Sequence, residues 1–389
     1  MHHEIYLDNS ATTPVSDQVA LAMEPYWAIQ YGNPSSPHMR GVAAEKTLRH
    51  CRQQISDLLR VHPYELYFTG SGTEANNIAI QGITSAPHFR KHPGHIITTA
   101  IEHPSVLNVM KHLETLGWAV TYLDVDKEGQ IDLAQFKESL LPETKLVSVM
   151  MVNNELGSIL PIEAVGEIIQ EANTNRSSKI IFHVDAVQAL GQIPINIPNS
   201  KADLMTFSGH KIFGPKGIGL LYARRGTNLH PILFGGNQEG GIRPGTENMP
   251  GIVGLTKAIQ IAMEDLETNT KHLLELRAQL ISGVNKIEHS YINSPEDGAP
   301  HILNIGFEDI RGEVLVHFLE QRRIFVSMGA ACSSNRRGTS HVLKAIGMPS
   351  EKILGSIRIS LAPNITKDQI RYVVSSLGDT VEQIRRIYM

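Results

Sequence analysis

The middle of this chain repeats one pattern: short, nearly continuous apolar runs alternate with segments whose apolar residues recur at helical spacing. The runs are HIITTA (95–100), TYLDV (121–125), KLVSVMMV (145–152), KIIFHVD (179–185), DLMTFS (203–208) and GIGLLYA (217–223). Runs this unbroken suit strands covered on both faces. Between two of them, Pro161 to Ala172 sets Ile162, Val165, Ile168 and Ile169 at helical spacing, the pattern of a crossover helix in a βαβ sheet. A mostly parallel α/β unit over residues 15–260 is expected. From Gly251 to about Ile287 the apolar positions, Leu255, Ile259, Leu266, Leu273, Leu276 and Leu280 among them, keep a helical period without a proline. One long helix connecting domains is predicted there. HILNIGF, a helical GEVLVHFLEQ, RIFVS, SIRISL and a terminal amphipathic helix then predict a smaller α/β unit.

The 389 residues allow two or three units of ordinary domain size. Thirty-five basic against thirty-nine acidic residues leave a formal charge of -4 with no long run of one sign. That argues against a nucleic-acid footprint and for small-molecule or protein partners. MHHEIYLDNSATTP at the N-terminus has no basic leader followed by an apolar stretch, so neither a signal nor a transit peptide is expected. No apolar run is long enough to span a bilayer. Two cysteines, Cys51 and Cys332, are the usage of a reducing compartment, which points to the cytoplasm and to thiols that act as thiols.

Four segments carry candidate chemistry. In FTGSGTEANNIAIQG (68–82) a glycine turn leads into a helix, with Ser71 and Glu74 at capping-box spacing. The backbone N–H groups of Gly72 and Thr73 suit a phosphate; a merely well-capped helix is the competing reading. In SGHKIFGPKGIG (208–219), Lys211 lies between His210 and an apolar Ile-Phe pair. A lysine desolvated beside a cation can form a Schiff base, although most lysines in turns are surface residues. Ser208 and His210 could donate to a phosphate. In FHVDAVQALG (182–191), Asp185 ends a buried-type strand, where open α/β sheets bind ligands. It is either the partner of a ring nitrogen or a helix cap. In SMGAACSSNRRG (327–338), Cys332 has small polar neighbours and two arginines close behind, the setting of an exposed thiolate. Cys51 sits in a helix-like stretch and reads as packing. His88, His92 and His95 cluster, but prolines break their spacing and no carboxylate or cysteine completes a set, so no metal is expected.

Together these stretches resemble the NifS/IscS-type cysteine desulfurases of the class V aminotransferase superfamily, which have the fold-type I architecture of pyridoxal-phosphate enzymes. YLDNSATTP (6–14), YGNPSSPH (31–38), FTGSGTEANN (68–77), EHPSV (102–106), VNNELG (152–157), HVDAVQALG (183–191), SGHKIFGPKGIG (208–219), RPGTEN (243–248), GAACSS (329–334) and IRISL (357–361) carry the likeness nearly end to end. The resemblance implies a mostly parallel seven-stranded sheet domain over 15–260. It implies a smaller α/β domain formed by 1–14 and 261–389, carrying the cysteine loop at about 327–338. It further implies pyridoxal 5'-phosphate joined to Lys211, its ring nitrogen on Asp185, its ring hydroxyl on Gln188 and its ring face on His103, which also moves protons. Gly72, Thr73, Ser208 and His210 match phosphate contacts, with Thr246 supplied by the other subunit of a homodimer. Asn33, Asn154 and Arg358 match substrate positions, Asn154 also touching the cofactor. The implied reaction takes sulfur from L-cysteine onto Cys332 as a persulfide and leaves alanine. The sulfur then passes to an acceptor protein, an iron-sulfur scaffold or a tRNA-thiolation enzyme. Selenocysteine cleavage, or another class V reaction, is the alternative. Two departures stand out: SMGAAC where many relatives read SSGSAC, and a C-terminus, IRRIYM, shorter than that of relatives whose extension docks a scaffold.

Overall fold

The computed structural model describes residues 4–328 and 340–388. Among these, twelve strands occur: β1 (Ile5–Tyr6), β2 (Leu66–Thr69), β3 (His95–Thr99), β4 (Ala119–Leu123), β5 (Thr144–Met150), β6 (Ile181–Asp185), β7 (Leu204–Ser208), β8 (Gly219–Ala223), β9 (Ser290–Ile292), β10 (Ile302–Phe307), β11 (Ile324–Phe325) and β12 (Ser356–Ser360). Seven form one sheet in the order β2-β8-β7-β6-β5-β3-β4. Six of them run in one direction and β8 runs against them. The apolar runs therefore marked the right segments, and their unbroken character has a physical cause: every residue of β7 and β8 is buried. Each fully buried Leu, Ile or Val of this kind contributes about 1.5–3 kcal/mol. The crossover helix Ile162–Asn173 turns Ile162, Val165 and Ile169 into the same core. Cys51, in the helix Met39–Leu59, is buried there too, in keeping with a packing role.

A second apolar cluster forms around the three-stranded antiparallel sheet β12-β10-β9. Leu273, Leu276, Leu280 and Val284 of the helix Leu266–Val284 meet Val373, Leu377 and Val381 of the helix Lys367–Tyr388 in it. Ile5 and Leu7 join this cluster because β1 pairs in parallel with β11. Ala299, Ile302, Val342 and Leu343 pack on the first cluster instead.

The single helix expected from Gly251 to Ile287 is two, Met249–Glu264 and Leu266–Val284, meeting at Asp265 (φ -95, ψ 2). Hydrophobic period alone could not show this break. The first helix serves the sheet-side cluster and the second the other. The axis turns at an aspartate, a residue that favours helix ends over interiors.

The turn after β2 is held from outside the sheet. Glu239 accepts from both terminal nitrogens of Arg52, at 3.0 and 2.5 Å, and from the Phe68 backbone N–H at 2.8 Å. Its side chain is 3% exposed. Arg52 also donates to the Leu66 carbonyl and lies over the Phe68 ring. Losing one member strands a buried charge and an unpaired N–H, whereas the intact set fixes β2 just ahead of Gly70–Gly72. Glu239→Ala should lower the unfolding free energy by about 3–5 kcal/mol. In urea this appears as a lower midpoint at unchanged slope. A wild-type midpoint would show that the pair does not clamp the strand.

Candidate active site

The chain's chemistry gathers at the carboxyl edge of the parallel strands, where such sheets bind ligands. A cavity of about 410 Å³ there is lined by residues that follow β2, β3, β5, β6 and β7, together with Ser10, Ala11, His341 and Arg358. Asp185, the last residue of β6, is buried. Its Oδ2 accepts from Asn76 Nδ2 at 2.7 Å and its Oδ1 from the Val187 N–H at 3.0 Å. Thr206 donates to Asn76 Oδ1 at 2.6 Å, which fixes the amide so that its NH2 faces the carboxylate.

The same amide donates to Ser105 Oγ at 2.9 Å. Ser105 Oγ lies 2.8 Å from His103 Nδ1, which also accepts the Ser105 N–H at 3.1 Å as the cap of the helix Pro104–Thr115. Nδ1 is therefore the acceptor, and the neutral ring carries its proton on Nε2. Burial chiefly lowers the basicity of His103; Lys211 and His341 lower it further, against the opposing pull of Asp185.

Lys211 follows β7 in a 3-10 turn, Gly209–Lys211. Its Nζ donates to the carbonyls of Ser10 and Ala11 at 2.5 and 2.8 Å. The sequence placed it against Ile212 and Phe213; the polar end instead meets backbone from the far end of the chain. Gln188 Nε2 donates to that Ser10 carbonyl at 3.0 Å. His210 Nδ1 lies 3.1 Å from Thr12 Oγ1, and burial, with Lys211 and Lys216 nearby, pushes its pKa down to about 4.

At the other wall the helix Gly72–Thr84 begins, capped by Ser71, whose Oγ accepts the Glu74 N–H at 3.1 Å. Its first-turn N–H groups have no intrahelical partner. The capping box is only half formed, because Glu74 reaches back to Gly70 N–H at 3.0 Å and also pairs with Arg243 at 2.7 Å. A Cβ on Gly72 would lie 2.7 Å from Val187 Cγ2 and 3.3 Å from Ser208 Cβ. Ser208 Oγ is buried and has no hydrogen-bond partner among the described residues.

Arg358, 2% exposed on β12, donates to the Asn154 carbonyl and to Asp8 Oδ1, each at 2.8 Å. Glu102, beneath His103, is wholly buried; that burial, with Asp185 nearby, pushes its pKa up to about 8 against hydrogen bonds from the Met150 N–H and Thr99.

The cavity thus brings together Gly72, Thr73, His103, Asn154, Asp185, Gln188, Ser208, His210, Lys211 and Arg358. Thr246 is exposed and outside it. Asn33, expected at the substrate, is also outside: it is exposed, and its Oδ1 closes a local turn onto the Ser35 N–H at 2.9 Å. Cys332 lies outside the described residues. His95, weighed as a metal ligand, is buried between Thr144 and Thr121, each 2.8 Å away. Among the described residues no three metal-ligating side chains cluster. Sequence reasoning missed Asp8 and Asn76, though both lie in motifs it marked, because it looked for groups that touch ligands and not for those that hold them. Glu155, in the marked VNNELG, was missed in the same way, and His341 carried no such signal.

Residues 5–373 match the model of the aminotransferase class-V family. The chain belongs to that family. A protein named cysteine desulfurase from Nostoc sp. (strain PCC 7120) is 45% identical over 98% of this chain and 94% of its own length. A solved structure described as a NifS-like protein superposes with a TM-score of 0.91 at 37% identity, covering 98% of this chain and 100% of that one. Another, described as SspA in complex with cysteine, gives 0.81 at 34% identity, covering 93% and 100%. Within class V, then, this chain groups with the cysteine desulfurases.

The sheet beneath the site keeps histidines neutral. His183, on β6, is fully buried with Nδ1 2.8 Å from Ser148 Oγ, and burial lowers its pKa from the usual 6.5 to about 3. His301 behaves alike, with Arg358 and Lys211 adding to burial. The unfolded chain binds these protons first, so the stability present above pH 6.5 is lost as pH falls toward 3. His183→Asn, which keeps a polar partner for Ser148, should flatten the decline of the urea midpoint between neutral and mildly acidic pH. A slope equal to that of the wild type would remove His183 from the account.

Proposed function

We infer that this chain is a cysteine desulfurase that works with pyridoxal 5'-phosphate in the cavity described. The observation that carries the reading is the meeting of Lys211, Asp185, His103 and the Gly72 helix start in one cavity of a class-V chain. The donor set fits the cofactor. Ser208 Oγ, buried and unpartnered among the described residues, stands beside a helix start where a Cβ on residue 72 would crowd Val187 and Ser208, which suits a phosphate at a helix start. Gly72, Thr73, Ser208 and His210 would hold that phosphate, and Thr246 would come from a second copy of the chain. Asp185 would hold a proton on the ring nitrogen, Gln188 the ring hydroxyl and His103 the ring face. Asn154 would touch both cofactor and substrate.

When bound, the cofactor supplies a carbonyl to condense with amines and a ring that accepts electrons. The rest falls to side chains. Arg358, held by Asp8 and the Asn154 carbonyl, orients the substrate carboxylate. Lys211 Nζ takes the proton from the substrate Cα. The Cys332 thiolate attacks the substrate sulfur, so that an S–S bond forms as the C–S bond breaks, leaving a persulfide and, after protonation, alanine. L-Cysteine as substrate is supported by the relatives named cysteine desulfurase and by the structural relative solved with cysteine.

The sulfur would pass to an acceptor protein, an iron-sulfur scaffold or a tRNA-thiolation enzyme, in the cytoplasm. Residues 15–260 would act as the cofactor domain, with 1–14 and 261–389 as the smaller one. Exposed Trp27, Ile29, Tyr31 and Met39, 65, 71, 64 and 89% accessible, favour a homodimer.

Adding L-cysteine to the purified yellow protein should yield alanine and a one-sulfur mass increase on the peptide bearing Cys332. Cys332→Ala should stay yellow and lose alanine formation, and Lys211→Ala should lose about 10²–10⁴-fold in turnover. Alanine formation by Cys332→Ala at the wild-type rate would overturn the mechanism.

A further inference from the structure

His341 lines the same cavity but belongs to none of the roles above. It is fixed from two sides. Ser340, just before it, donates its hydroxyl to Glu155 Oε2 at 2.5 Å and caps the helix His341–Ala345 by accepting the Leu343 N–H at 3.0 Å. Glu155 is buried, and its own backbone N–H is taken by Asn153 Oδ1 at 2.9 Å. The ring's Nε2 lies 3.0 Å from the backbone carbonyl of Glu102. A carbonyl oxygen only accepts, so Nε2 carries the hydrogen, and the neutral ring presents Nδ1 as an acceptor that no described residue donates to.

The other basic groups of the cavity are already engaged. His103 Nδ1 accepts from Ser105, Lys211 donates to Ser10 and Ala11, and Arg358 is held by Asp8 and the Asn154 carbonyl. His210 stands beside Thr12, Asp185 accepts from Asn76 and the Val187 N–H, and Glu155 accepts from Ser340. His341 and His103 line the same cavity.

We propose that His341 is a second catalytic histidine, whose Nδ1 accepts the thiol hydrogen of the bound substrate and takes that proton as the sulfur is transferred. This rests on the desulfurase reading. The balance is simple. As the nucleophilic thiolate bonds to the substrate sulfur, the S–H proton moves to Nδ1 and the C–S electron pair stays with carbon. The new persulfide is left as its anion. Nδ1 then gives its proton to the carbon that the sulfur has left, which becomes the methyl group of alanine. No oxidant or reductant is needed, and the histidine ends neutral.

His341→Ala and His341→Gln test this, glutamine keeping a donor for the Glu102 carbonyl while offering no base. Both should lower kcat on L-cysteine by about 10²–10⁴-fold. Their dissociation constants for L-alanine, which has no thiol, should stay within about twofold of wild type, read from the cofactor spectrum. Wild-type kcat in the glutamine variant would overturn the base role. Loss of L-alanine affinity in step with kcat would show a positioning role only, and would overturn the proposal too. If the wild type itself makes no alanine from L-cysteine, the desulfurase reading is what fails.

Discussion

Everything at this site is referred to one buried carboxylate. Asp185 ends the central strand β6, and its two oxygens are taken by the Asn76 amide and the Val187 N–H. An unpaired anion at that depth would be costly, so the partners must exist before the charge can. They come from different elements, the Gly72–Thr84 helix and the turn after β6. Thr206 on the neighbouring strand β7 then decides which way the Asn76 amide faces. The sheet order that sets β7 beside β6 is thus a condition for the anion's survival, and through Ser105 the same amide reaches His103.

Around that anion the histidines are kept neutral, chiefly by burial: His103, His210 and, deeper, His183 and His301. Glu102 is held toward its protonated form by the same cause. The cations that remain, Lys211 and Arg358, both reach back to the first strand's downstream segment, to Ser10, Ala11 and Asp8. Charge is therefore sparse, and what there is has defined direction. A site of this kind tunes where protons reside.

The sheet was legible in the sequence because both its faces are buried, which leaves unbroken apolar runs that no amphipathic helix would write. The helix break at Asp265 was not legible, since apolar period persists on both sides while the packing partner changes. Lys211, Asp185 and Gly72 could be singled out from glycine turns and strand ends, and the structure brings all three to one cavity. Asn76 and Asp8 were visible as letters in marked motifs, yet their work, holding Asp185 and Arg358, depends on contacts 109 and 350 residues apart. Asn33 stands apart: a motif match whose side chain closes its own turn and lies outside this chain's cavity.

The pairing of Asp8 with Arg358, and of β1 with β11, places the first and last parts of the chain in one wall of the site. A ribosome makes the chain from its amino end. The large sheet can form while synthesis continues, with Lys211 already in place, but the wall that holds Arg358 cannot close until β12 has emerged. A nascent or C-terminally shortened chain would thus carry an exposed, unfinished pocket, and catalytic competence arrives only at the end of translation.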